Sequence, residues 1–259
     1  MKLFLLLCIL HSQTWASFSE ESGLWSYTEK NKSQLILTEA DEKKIALLKQ
    51  EISSQIKKNF SLNIVLSPQI NAYATLDDSG NPKVNITYGM FSHNKMNNNV
   101  LKLLVCHELG HAFGGLPKQN RGNSELKSWS TAEGQADYYS ILECAKKLQL
   151  EEVNKKFKQC GSHKSCHSLT QAALDLTSIY AEIKFWPYEL EVHSPDLNTV
   201  HTTELVHPNP QCRLDTFIAA ITCSNSKKIL IEDSIFLTCE QEQYRQPSCW
   251  MAPNMFRDI

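Results

Sequence analysis

Val105-Cys106-His107-Glu108-Leu109-Gly110-His111 carries the pattern H-E-x-x-H. Residues four apart lie on one face of a helix, so His107 and His111 can offer two imidazole nitrogens to a single metal ion. Glu108 then stands beside that ion, where a carboxylate can take a proton from a water whose pKa zinc lowers to about 7. Five residues are a weak signal by themselves, so their surroundings decide. Asn97-Asn98-Asn99 supplies helix caps, and Val100, Leu101, Leu103, Leu104, Val105, Leu109 and Phe113 supply an apolar body. Gly114-Gly115 and Pro117 supply a stop. Two imidazoles and a carboxylate inside so apolar a helix are costly unless a partner such as a metal holds them.

Catalytic zinc usually takes three protein ligands, so a third is needed downstream. A metzincin would place its third histidine at position 117, where this chain has proline, a residue that cannot ligate. The better candidate is Glu133, in Thr131-Ala132-Glu133-Gly134-Gln135-Ala136-Asp137-Tyr138-Tyr139, a second helical pattern in which Glu133 and Asp137 share a face. Asp137 can accept the outer N–H of a ligand histidine and fix its tautomer. A competing reading makes Ser130-x-x-Glu133 a capping box and nothing more.

At this point the chain resembles a known family. Asn71-Ala72-Tyr73-Ala74, a strand ending at Gly89, the His107–His111 motif and Glu133-x-x-x-Asp137 follow in the order seen in gluzincin metallopeptidases of the HtpX and CAAX prenyl-protease type. His207-Pro208 with Arg213 six residues after the histidine resembles that family's later motif, so the likeness runs from about Leu62 to Arg213. It implies a mainly helical peptidase domain with a small sheet, and one zinc held by His107, His111 and Glu133. It also implies that His207 or Arg213 lies near the cleft, as oxyanion donor or substrate contact. Those family members are embedded in membranes, whereas this chain shows no retained span and carries eight cysteines foreign to them, so their substrates do not transfer.

The outer bounds agree with a single exported domain. The chain has 259 residues, 42% of them hydrophobic and 21% charged, enough for one sizeable core. A net charge of -2 gives no electrostatic case for nucleic acid. Lys2, the apolar run Leu3–Leu10 and Thr14-Trp15-Ala16 read as a signal peptide over residues 1–16, too short to span a bilayer. Residues 17–37 read as an irregular lead-in and 38–259 as one domain with a cysteine-rich C-terminal part. Eight cysteines remain after the signal segment, an even number that suits disulfides in an oxidising compartment. For Cys160-x-x-His163-x-x-Cys166-His167 a second metal site is the rival, though its spacing fits no common zinc module.

Elsewhere the pattern is coarser. Thr38 with Asp41 reads as a cap before a helix carrying Ile45, Leu48, Ile52 and Ile56. Leu62–Leu66, Ile70–Thr75 and Lys83–Tyr88 read as strands, the last two joined by the turn residues Asp77–Asn81. Leu169–Ile183 and Pro208–Cys223 read as helices, the aromatic cluster Phe185–Tyr188 as packing, and Cys212, Cys223, Cys239 and Cys249 as staples of the tail. His193 and His201 stand alone. The expectation is an α+β, mainly helical zincin-like domain with a small antiparallel or mixed sheet. Its function is expected to be that of an exported, periplasmic or secreted zinc metalloendopeptidase, a monomer acting on polypeptides. The alternative is a zinc-stabilised pseudo-peptidase that binds or chaperones exported proteins.

Overall fold

A computed structural model of the chain describes residues 16–17, 35–119 and 128–256. Of the signal segment read over 1–16 only Ala16 is described, and most of the lead-in read over 17–37 lies outside the described residues. Thr38 opens α1 (Glu39–Ile56) through a reciprocal cap: Asp41 N donates to its hydroxyl at 3.2 Å and its own N–H donates to the Asp41 carboxylate at 3.0 Å. Leu48 and Ile52 on this helix are buried, and Ile45 and Ile56 pack partly buried against the same core, so the helical spacing marks the inner face.

The main sheet is mixed. A short strand β1 (Ala16–Ser17) pairs antiparallel with β3 (Ala72–Leu76), β3 pairs antiparallel with β4 (Pro82–Thr87), and β4 pairs parallel with β2 (Ser61–Val65). The turn between β3 and β4 is held by Asp77, whose Oδ1 accepts from the backbone of Ser79 and Asn81 at 2.9 and 2.8 Å, with Gly80 at φ +77°. Val84 and Ile86 of β4 are fully buried. A short turn of helix, α2 (Tyr88–Phe91), follows directly, where the sequence pattern carries the strand on to Tyr88.

α3 (Asn98–Phe113) runs through the centre of the molecule. Asn97 caps it, accepting from Asn99 N and Val100 N, and twelve of its residues, Asn99 to Leu101 and Leu103 to His111, are buried on every face. A helix apolar all round belongs inside a core, and this one lies between the sheet and α4 (Glu133–Tyr139) and α5 (Lys164–Ile183). Gly110 sets the approach to α4, because a Cβ there would stand 2.7 Å from the carbonyl oxygen of Ala136. The disulfide Cys106–Cys144 then ties α3, one residue before His107, to the π-helical turn Ser140–Cys144 that continues α4.

The C-terminal part adds α6 (Pro210–Thr222), capped by Asn209, whose Oδ1 accepts from Cys212 N at 3.0 Å. Next comes a hairpin that the sequence pattern does not announce, β5 (Ser226–Ile231) with β6 (Ser234–Cys239). Cys212–Cys249 and Cys223–Cys239 staple this part, and Cys160–Cys166 closes the loop before α5. The second metal site considered for that loop is therefore absent: both thiols are spent, His167 is bonded to Phe157 N and Gly161 O, and His163 is exposed. α5 also begins five residues earlier than the apolar pattern suggests. No described helix is long and apolar enough to cross a membrane.

A buried polar cluster locks the hairpin to α4. Gln246 Nε2 donates to Gln135 Oε1 at 2.8 Å and to Leu237 O, Gln246 Oε1 accepts from Thr238 at 2.8 Å, and Gln135 Nε2 donates to Leu237 O at 2.9 Å. Gln246→Leu strands two buried partners, and its expected cost is about 1–3 kcal/mol in denaturant unfolding. A variant as stable as the parent would show that water enters the cluster.

Candidate metal centre

Four side chains from two helices meet in the core: His107, Glu108 and His111 from α3 and Glu133 from the first turn of α4, all 0% exposed. His107, His111 and Glu133 form a group that can hold a metal ion, their ligand atoms lying within 4.8 Å of one another. His107 Nε2 is 3.3 Å from Glu133 Oε2, and His111 Nε2 is 3.4 Å from Glu133 Oε1. The two imidazoles thus approach different oxygens of one carboxylate, close enough for a single ion to lie among the three side chains.

The outer nitrogens of both imidazoles are engaged. Asp137, one turn along α4 from Glu133, accepts from His107 Nδ1 at 2.7 Å, and the carbonyl of Thr131 accepts from His111 Nδ1 at 2.8 Å. Each bond fixes its ring so that Nε2 faces the Glu133 carboxylate, and Arg213 Nη2 lies 3.4 Å from His107 Nε2. His111 Nε2, Glu133 Oε2 and both oxygens of Glu108 have no hydrogen-bond partner among the described residues. Converging lone pairs without a donor are unfavourable, and a cation in their midst removes the penalty. Charge points the same way: the buried carboxylates of Glu108, Glu133 and Asp137 face one buried guanidinium, Arg213, which leaves two negative charges for a divalent ion to cancel.

Without a cation, the site's proton affinities reflect that imbalance. Burial pulls the His107 imidazole down, but the charge and hydrogen bond of Asp137 outweigh it and lift it to about 9. Burial pushes His111 down to about 4 and lifts Glu108 to about 8. Glu133 stays well below the carboxylate range against the pull of burial, because His207, His111 and His107 surround it. With Nδ1 of His107 held by Asp137, a proton and a metal ion compete for the same Nε2.

Arg213 is placed differently from the expectation of an oxyanion or substrate contact. It is fully buried on α6, its Nε and Nη2 donate to the two oxygens of Asp137 at 2.8 and 2.6 Å, and its guanidinium lies 4.8 Å over the Tyr180 ring. It holds the carboxylate that holds His107, and a bidentate pair of that kind fixes orientation as well as charge. His207 does reach the site: its Nε2 is 3.4 Å from Glu133 Oε1, its ring lies 5.8 Å from that of Tyr180, and its side chain is 9% exposed. His193 and His201 are exposed.

The capping-box reading of Glu133 fails on geometry. The N-cap of α4 is Ala132, with no side-chain cap bond, and the Ser130 hydroxyl lies 3.4 Å from His111 Nδ1 instead. Pro117, which occupies the metzincin position, contributes through its main chain, where its carbonyl accepts from Ala132 N at 2.8 Å. Gln119 is a site residue that sequence reasoning missed, its Nε2 donating to Glu133 Oε1 at 3.1 Å. The other close grouping, Asp196 with Cys212 and Cys249, has its sulfurs joined in a disulfide and offers no thiolate. No family model, no characterised protein and no solved structure matches the chain.

Proposed function

We propose that this chain is a zinc-dependent endopeptidase of zincin-like fold, with His107, His111 and Glu133 as ligands and Glu108 as general base. The observation that carries the reading is the Glu108 carboxylate, wholly buried and unpartnered among the described residues, on the residue next to His107 in a group whose ligand atoms lie within 4.8 Å of one another. A purely structural site has no use for such a group and usually closes all four positions with protein. Zinc, when bound, supplies a Lewis acid that polarises the scissile carbonyl and acidifies water to a pKa of about 7.

The chain's own residues do the rest. Glu108 takes the proton of the attacking water and returns it to the leaving amine, so no covalent intermediate forms on the protein. Asp137 and the Thr131 carbonyl keep His107 and His111 in the tautomer that presents Nε2, and Arg213 keeps Asp137 ionised. His207, beside Glu133 at the edge of the tripod, is the donor to the oxyanion of the carbonyl. The likeness of the four ordered motifs to HtpX-type and prenyl-protease-type gluzincins supports the same assignment.

The four disulfides and the signal-like N-terminus favour an exported enzyme, periplasmic or secreted, that acts as a monomer on polypeptides. Degradation of casein by the purified mature chain is expected to stop on addition of a chelator and to resume with zinc. Casein left intact under all conditions, or cleaved equally with chelator present, contradicts the proposal.

A further inference from the structure

The stretch from Gly115 to Gln119 returns along the segment that leads into α4. Ala132 N donates to Pro117 O and Gln119 N to Ser130 O, both at 2.8 Å, and Lys118 and Thr131 form an antiparallel bridge. The same segment accepts from His111 through the Thr131 carbonyl. This pairing brings Gln119 onto Glu133, fourteen residues on, with Gln119 itself 6% exposed.

We infer that Gln119 is a positioning residue for the metal, its side-chain amide fixing Glu133 through Oε1 so that Oε2 ligates. The inference rests on the metal reading above. Oε2 makes no hydrogen bond among the described residues and lies 3.3 Å from His107 Nε2, whereas Oε1 receives the Gln119 amide at 3.1 Å and lies 3.4 Å from Nε2 of both His111 and His207. A carboxylate beside a divalent ion can turn to offer one oxygen or two. A buried donor on one oxygen opposes the two-oxygen mode, which keeps the coordination number low and a position open for water. The amide does this without charge, so Glu133 keeps its full negative charge for the ion; a lysine in its place would cancel it. Arg213 and Asp137 orient His107 in the same manner.

The test uses the mature full-length chain with Gln119→Met, which keeps the length and loses the donor, and Gln119→Ala. Zinc affinity by competition with a chelating dye is expected to fall about 10- to 100-fold in both. With cobalt in place of zinc, the visible absorption of the variants is expected to weaken, because a carboxylate bound through both oxygens raises the coordination number. X-ray absorption of the wild-type zinc protein needs no variant, and it is expected to report four near neighbours. Five or more neighbours in the wild type, or affinity and cobalt spectrum unchanged in the variants, overturns the role of Gln119 while leaving the metal reading intact. A wild type that takes up neither ion overturns the metal reading and this inference with it.

Discussion

Glu108→Gln is expected to keep bound zinc and to lower the turnover of casein by about two to four orders of magnitude, the usual worth of a positioned acid or base. The substitution preserves shape and removes only the ability to accept a proton. In the metal-free chain, burial lifts Glu108 to about 8, so at neutral pH much of it would carry a proton and be useless as a base. A divalent ion next to it reverses that balance by favouring the anion, which couples the base to the metal. Full chelator-sensitive activity in Glu108→Gln would remove it from the mechanism. Loss of zinc along with activity would make Glu108 part of the metal's support.

Glu133→Ala is expected to leave the purified chain without its ion. Two neutral imidazoles alone hold zinc weakly, and the variant also removes the negative charge that offsets the ion's own. The outcome separates a ligand from a residue that merely begins a helix, whose loss would cost about 1 kcal/mol of stability and leave the metal in place. Asp137→Asn supplies the graded comparison. It keeps the hydrogen-bonding shape toward His107 but loses the charge that Arg213 clasps, and about 10- to 100-fold of affinity or activity is expected to go with it. Equal zinc content in Glu133→Ala and wild type would move the third-ligand role to His207, whose imidazole also touches this carboxylate.

The centre of the site is legible in the sequence because its signal is local. His107 and His111 sit one turn apart in a helix whose apolar residues run on every side, and asparagine and glycine mark its ends. Glu133 and Asp137 follow from the same helical spacing once a third ligand is required. Arg213 is visible only as a motif residue. Nothing in its neighbours says that it lies 76 positions from its partner Asp137 and wholly inside the core, because the tertiary packing of α6 against α4 decides that. Gln119 gives no signal at all, since its placement depends on main-chain pairing across a loop rather than on any spacing within an element.

The missed hairpin has a different cause. Its turn is Glu232-Asp233, both with positive φ, at 46° and 64°, where such turns usually carry Asn-Gly or Asp-Gly. Its first strand opens Ser-Lys-Lys and keeps its outer residues exposed, so alternation is blurred. The hairpin is held instead by the disulfide Cys223–Cys239 and by the glutamine cluster on α4, two tertiary devices that local propensity does not record. The strand boundaries of the main sheet differ by one or two residues for an ordinary reason: Thr87 ends β4 by capping α2, accepting from Met90 N, so Tyr88 enters the helix.

Mechanism, charge balance and the role of Gln119 all depend on His107, His111 and Glu133 holding a divalent ion. Elemental analysis of the purified mature chain, after gel filtration in metal-free buffer and without added chelator, tests this most directly. About one zinc per chain is expected, removable by a strong chelator and restored by stoichiometric zinc. A chain that emerges folded and free of divalent metal, and takes up none when zinc is returned, contradicts it.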